Sequence, residues 1–277
     1  MRIHSGEPML FVALFMAAGS AALVGQAPTA ISNTDHRPLV GALDAMQCTL
    51  GVAINYEDVP YENEADLEDV ATSQHRASAP GFRLLVPRRG SVSGTVRATT
   101  SETERLSYVE ALLGSYRTNG MPGDFKVEQA SGMLYVIPTK VLTVGGALRD
   151  VNSPMTSPIT VSYAERPLSD TVAAILQAAS AASGARIELG SLPFMPPTAP
   201  IAFGANAEPA RDALAKLFAR VSSRPVSYRL LFDPKFRAYM LNIQIVPPTN
   251  ARPAPTGSPA PPGARSTENP FFTKTKK

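Results

Sequence analysis

Seven carboxylates fall within thirteen residues, at Glu57, Asp58, Glu62, Glu64, Asp66, Glu68 and Asp69, and no other stretch of the 277-residue chain concentrates so many ionisable groups. Acidic groups at this density bind either a hard cation or a basic partner surface. The spacing argues against the cation. A calcium loop alternates Asp or Asn ligands around a central glycine and ends on a glutamate, and this stretch holds no glycine. In an extended chain Glu62, Glu64, Asp66 and Glu68 point to one side, as in a solvated loop. The seven are therefore expected at the surface, as candidate partner-contact residues. Histidine and cysteine chemistry is sparse. Beyond the N-terminal stretch the chain keeps His36 and His75, both expected to be solvated, and Cys48, expected on a helix as a small apolar side chain. A single cysteine excludes intrachain disulfides and cysteine-based zinc clusters. The sequence contains no phosphate loop ending in Gly-Lys-Ser/Thr, no His-Glu-x-x-His and no Gly-x-Ser-x-Gly elbow. No catalytic residue, cofactor or metal is assigned.

The elements that must position these groups repeat. Arg37-Pro38-Leu39 returns as Arg166-Pro167-Leu168, each time opening an apolar helical stripe. The first stripe is Leu39, Leu43, Met46 and Leu50; the second is Leu168, Val172, Ile175, Leu176 and Ala179. Proline suits the first turn of a helix, and Gly51 or Gly184 follows each stripe where a left-handed residue ends one. A short alternating segment comes next, Val52 to Tyr56 or Ala185 to Leu189, reaching a proline at Pro60 or Pro193. Each copy then predicts a strand (Val92 to Val96; Ile201 to Phe203) and a second amphipathic helix. That helix carries Leu106, Val109, Leu113 and Tyr116 in one copy and Leu214, Leu217, Phe218 and Val221 in the other. A hairpin closes each copy, turning at Ser131-Gly132 and at Asp233-Pro234. Arg88-Arg89-Gly90 is expected at another hairpin tip.

The expected fold class is therefore α+β. Two tandem related small domains span residues 37–140, with the acidic segment as an insert, and 159–247. Each has two helices packed on a small mixed or antiparallel sheet, and 141–158 serves as a linker.

The order helix, glycine, strand, strand, leucine-rich helix, closing strands resembles the short N-terminal domains of secretins and TonB-dependent receptors. In the first copy it is carried by Arg37-Pro38-Leu39, Ala42-Leu43, Gly51, Ile54 and Ala111-Leu112-Leu113. In the second it is carried by Arg166-Pro167-Leu168, Gly184, Ile187, Ala213-Leu214 and Leu217. The resemblance implies small α+β domains that dock onto neighbouring domains or signalling partners in the periplasm, without catalysis. It does not extend to a β-barrel, plug or pore segment. The two-copy arrangement is also similar to that of exported bacterial proteins.

The ends of the chain set its location and charge. Met9 to Val24 is an uncharged apolar run after Arg2, and residues 1–27 are expected to be a signal peptide or an N-terminal anchor. Either places the rest outside the cytoplasm, periplasmic or secreted. Residues 248–277 are expected to form a disordered, proline-rich basic tail, with Phe271-Phe272 beside Lys274, Lys276 and Lys277 as its anchor-like spot. The net charge of +3 resides in that tail, so the body lacks a basic face for nucleic acid. The expected function is protein–protein interaction in the bacterial cell envelope. Envelope proteins are the expected partners, through Glu57 to Asp69 and Phe271-Phe272, and membrane contact is expected only through an uncleaved N-terminal segment. The alternative is an exported hydrolase with a Ser/His site between the two domains.

Overall fold

A computed structural model describes residues 27–71, 83–193 and 199–248. The N-terminal apolar run, His75 and the tail with Phe271 and Phe272 lie outside the described residues. Strand β1 (Thr29–Asp35) leads into α1 (Pro38–Leu50), followed by β2 (Ile54–Glu57), a 3₁₀ turn (Glu64–Asp66) and the short pair β3 (Leu67–Asp69) and β4 (Leu85–Pro87). Then come β5 (Gly90–Val96), α2 (Glu102–Thr118), the hairpin β6 (Asp124–Ala130) and β7 (Met133–Leu142), and β8 (Leu148–Asp150). The second half runs β9 (Pro158–Arg166), α3 (Leu168–Ser183), β10 (Ile187–Ser191), β11 (Ile201–Pro209), α4 (Ala210–Val221), β12 (Val226–Asp233) and β13 (Ala238–Ile245). The protein is thus a mixed α/β fold, with four helices and several sheets among the described residues. None of these helices is long and apolar enough to cross a membrane.

The helices form where the apolar stripes predict them. Leu39, Leu43, Met46 and Leu50 are buried on α1, and Val172, Ile175, Leu176 and Ala179 on α3. Each large aliphatic side chain contributes about 1.5–3 kcal/mol by burial. Gly51 and Gly184 end the two helices at φ 64° and 71°, a conformation that costs an L side chain about 1–2 kcal/mol. On α2 the buried face is Val109, Leu112, Leu113 and Tyr116, and Ser101 caps the helix by accepting the Glu104 N–H. The Ser131-Gly132 turn has both residues at positive φ, as a two-residue hairpin requires.

The strands do not form two separate sheets. They run β10-β13-β12-β2-β7-β6 in one sheet, with β8 added to β7, and β12 pairs in parallel with β2. The buried apolar side chains of both halves accordingly make one cluster. Two antiparallel ribbons, β1 with β5 and β9 with β11, pack against the helices. The helix pairs lie on opposite faces of the sheet. Tyr56 stacks on Phe125, which meets Tyr116 of α2 edge-on, whereas the next residue, Glu57, points the other way to Arg211 of α4.

Several expectations change accordingly. Residues 141–158 are not a bare connector: they hold the end of β7, strand β8 and a 3₁₀ turn (Pro154–Thr156) whose Met155 is fully buried. Arg88-Arg89-Gly90 is not a hairpin tip, because β4 pairs with β3 while β5 pairs with β1. Strand β1 precedes α1 without a sequence signal, since only its Ile31 is buried and no alternation results, whereas β9, before α3, has the alternating run Ile159, Val161 and Tyr163, of which Ile159 and Val161 are buried.

Candidate functional site

The junction of the halves gathers most of the buried polar groups. Strand β2 carries Ile-Asn-Tyr-Glu and all four residues are buried, so its two polar side chains must find partners inside the protein. The Asn55 amide oxygen accepts the Tyr228 N–H at 2.9 Å. Glu57, with none of its side chain exposed, meets the Arg211 guanidinium at 3.0 Å and accepts the Tyr228 hydroxyl at 2.5 Å. Arg211 also lies over the Tyr135 ring and reaches toward Glu128, while its Nε has no hydrogen-bond partner.

Asp58 is a second buried acceptor, and five donors converge on it. Oδ1 accepts the Tyr56 hydroxyl at 2.9 Å, the Tyr61 hydroxyl at 2.8 Å and the Val59 N–H at 3.1 Å. Oδ2 accepts Arg37 Nε at 3.0 Å and the Phe232 N–H at 3.2 Å. Arg37 donates as well to the Phe232 carbonyl at 2.5 Å, so one carboxylate ties the start of α1 to β12. On the same face as Asp58, and opposite to Glu57 and Arg211, Arg229 of β12 meets Asp44 of α1 through Nη2 at 2.5 Å and Nε at 3.1 Å, with Gln244 on the same oxygen at 2.9 Å. The seam is reciprocal: an acid of the first half takes an arginine of α4 on one face, and an arginine of the second half takes an acid of α1 on the other.

Burial and charge set the protonation of these groups. Burial pulls the Arg37 guanidinium down, and Asp58 together with Tyr61 and Tyr56 more than offsets it, leaving the group above its ordinary value. Burial, then Asp58, holds the Tyr56 and Tyr61 phenols far above theirs. Glu57 is pushed up by burial, against the pull of Arg211, Ser153 and Tyr228. The folded state therefore holds the Glu57 proton more tightly than the unfolded chain, where the pKa is about 4.3. The stability this adds is fully present below that value and is lost as pH rises through the folded one. Glu57→Gln cannot titrate, so the wild type's stability advantage over it is expected to shrink between pH of about 4 and about 7. Urea denaturation at both ends of that range decides, and an advantage that grows with pH would mean that Arg211 outweighs burial.

The acidic stretch thus divides. Glu57 and Asp58 belong to the interior and are withdrawn as partner contacts, because their oxygens are spent within the chain. Asp66 is buried too, and burial raises its carboxyl, whose Oδ2 has no partner. Glu62, Glu64, Glu68 and Asp69 keep surface exposure. Of these Glu62 pairs with Arg149 at 2.5 Å and Glu68 with His36 at 3.0 Å. Asp69 accepts the N–H groups of Ala71 and Leu84 at 3.0 Å, which holds its carboxyl below the usual range.

His36 is not free in solvent: its Nδ1 lies 3.0 Å from both the Pro87 carbonyl and Glu68. Cys48 is half-buried rather than core, and burial, then Asp44, raises its thiol, making it a poor nucleophile. Among the described residues no three His, Cys, Asp or Glu gather as metal donors.

Among the open grooves that border the junction, two share Phe232 in their lining. One of about 960 Å³ includes Tyr61, Glu62, Glu64, Arg149, Phe232 and Arg237. The other, of about 430 Å³, is walled by Leu84 to Pro87 and floored by Leu231 and Met240, with the exposed Phe236 at its rim.

Sequence reasoning missed Asp44, Arg211 and Arg229. A signal existed for Arg229, a single charge inside the apolar strand run Val226 to Phe232, which has to find a buried partner. The chain matches no protein-family model, no curated protein and no solved structure.

Proposed function

We propose that the chain is a non-enzymatic exported protein whose halves are copies of one α+β unit, resembling the short N-terminal domain of secretins and TonB-dependent receptors. It acts through protein–protein contacts in the bacterial cell envelope. The observation that carries this reading is matching connectivity. Apart from the β3–β4 insert and β8, each half runs strand, helix, strand, strand, helix, hairpin. In each, the first strand pairs antiparallel with the strand before the second helix, β1 with β5 and β9 with β11. In each, the strand after the first helix pairs parallel with the last strand of the hairpin, β2 with β7 and β10 with β13.

Export is supported by the apolar run Met9 to Val24, as signal or anchor. The hydrolase alternative places its site between the halves, where β2 pairs with β12 and Glu57 and Asp58 are committed to internal partners. The contact surface is the exposed remainder of the acidic stretch, Glu62, Glu64, Glu68 and Asp69, together with Phe271-Phe272 on the tail. Its partners are envelope proteins.

Photo-crosslinking in the source cell tests this, with the reactive residue at Glu64 and, as a control, at the exposed Ala173 of α3. One envelope protein joined from position 64 and absent from position 173 is expected. Crosslinks confined to cytoplasmic proteins, or the same set from both positions, would overturn it.

A further inference from the structure

The seam between β2 and β12 leaves the counterpart edges of the same sheet unpaired. The halves align through their parallel pairs, Ile54 with Leu134 and Ile187 with Tyr239, which makes β10 the counterpart of β2. Carried through the two hairpins, the alignment makes β6 the counterpart of β12, with Val127 in the place of Leu230 and Lys126 in the place of Arg229. Among the described residues β10 pairs only with β13 and β6 only with β7. The sheet therefore ends on the two strand types that pair with each other inside the chain.

We propose that a second copy of this chain adds its β6, in parallel, to the free edge of β10, repeating the internal seam between molecules and assembling the protein head to tail. The inference rests on the equivalence of the halves and is independent of any envelope partner. Backbone geometry supports it. In the internal seam the Asp58 N–H donates to the Leu230 carbonyl at 2.8 Å, so Leu230 turns its peptide groups toward β2. Its counterpart Val127 turns the same groups toward the open side of β6. On β10 the Arg186 carbonyl accepts the Tyr239 N–H at 2.8 Å, which by strand alternation leaves the Leu189 peptide groups facing outward, as those of Tyr56 face β12.

The charges on these strands do not lie in the pairing plane. Lys126 and Glu128 project from one face of β6 and pair with each other at 2.6 Å, and Glu188 of β10 pairs with Arg186 at 2.7 Å. The contact is weaker than the internal one, since Gly190 stands where β2 has Glu57 and no buried ion pair forms there. A heterologous contact of this kind does not close into a two-fold dimer, so assembly proceeds head to tail and depends on concentration.

Sedimentation of the purified full chain tests the proposal. The weight-average mass is expected to rise about twofold or more between about 1 μM and about 100 μM. Val127→Pro and Leu189→Pro each remove an outward N–H that makes no bond to the neighbouring strand, so each variant is expected to stay monomeric. An equimolar mixture of the two keeps one good edge of each kind and is expected to stop at a dimer. A wild type that remains monomeric throughout, or a folded proline variant that still assembles, would overturn the proposal. If a proline variant loses its circular dichroism, the chain carrying Lys126→Cys, Leu189→Cys and Cys48→Ala replaces it: an oxidised ladder of multimers supports the contact, and no ladder rejects it. Self-association without an envelope crosslink, or the reverse, separates this inference from the proposed function.

Discussion

Asp58→Ala is expected to lower the free energy of unfolding by about 3–5 kcal/mol, the cost of breaking a buried charge network from one side. The carboxylate has no exposed surface and accepts from two phenols, two backbone N–H groups and the Arg37 guanidinium. Its removal leaves all five donors without that acceptor at the junction of the halves, each costing about 1–3 kcal/mol if it finds no other. Asp58→Asn keeps the volume but turns a donor toward donors, and a loss of at least about 2 kcal/mol is expected. Because the network is sheltered from solvent, neither loss should diminish much with added salt. Equilibrium urea denaturation measures both. An alanine variant within about 1 kcal/mol of wild type would mean that the junction is held by strand pairing alone.

The second large effect concerns the two helix stripes. Leu43→Asp on α1 and Leu176→Asp on α3 each place an unpaired charge in a closed apolar site, and each is expected to cost more than about 4 kcal/mol. The continuous sheet adds a sharper expectation. Since β2 and β12 pair and the buried side chains form one cluster, the halves should unfold together, so either lesion lowers one common calorimetric transition. Two resolved transitions, each moved by only one of the mutations, would make the halves independent domains, and the seam would then be an interface between them.

Local physics made most of the individual elements legible. The stripes, the prolines at the helix starts and the glycines after them placed α1 and α3, because the apolar period and the left-handed cap are properties of a few neighbouring residues. Ser131-Gly132 marked its hairpin for the same reason. What escaped were features set by distant partners. Strand β1 is held in a ribbon against β5 with only Ile31 buried, so no alternation announces it, whereas β9 carries a local signal in the alternation of Ile159, Val161 and Tyr163. The acidic stretch looked uniform because the sequence shows charge density and not its surroundings. Glu57 and Asp58 lie at the end of a strand that the second half covers, whereas Glu62 and Glu64 lie just beyond its cover.

The sequence by itself determined that this chain carries two similar sets of elements, with an apolar run at one end and a basic tail at the other. Only the tertiary structure decided that the sets share one sheet, with helices on opposite faces. Arg211 is 154 positions from Glu57 and Arg229 is 185 from Asp44, separations at which no periodicity or spacing rule couples one residue to another. Pairing β12 with β2 brings those charges together and buries Glu57 and Asp58, so that with Asp66 three of the seven apparent surface carboxylates lie inside and four stay exposed.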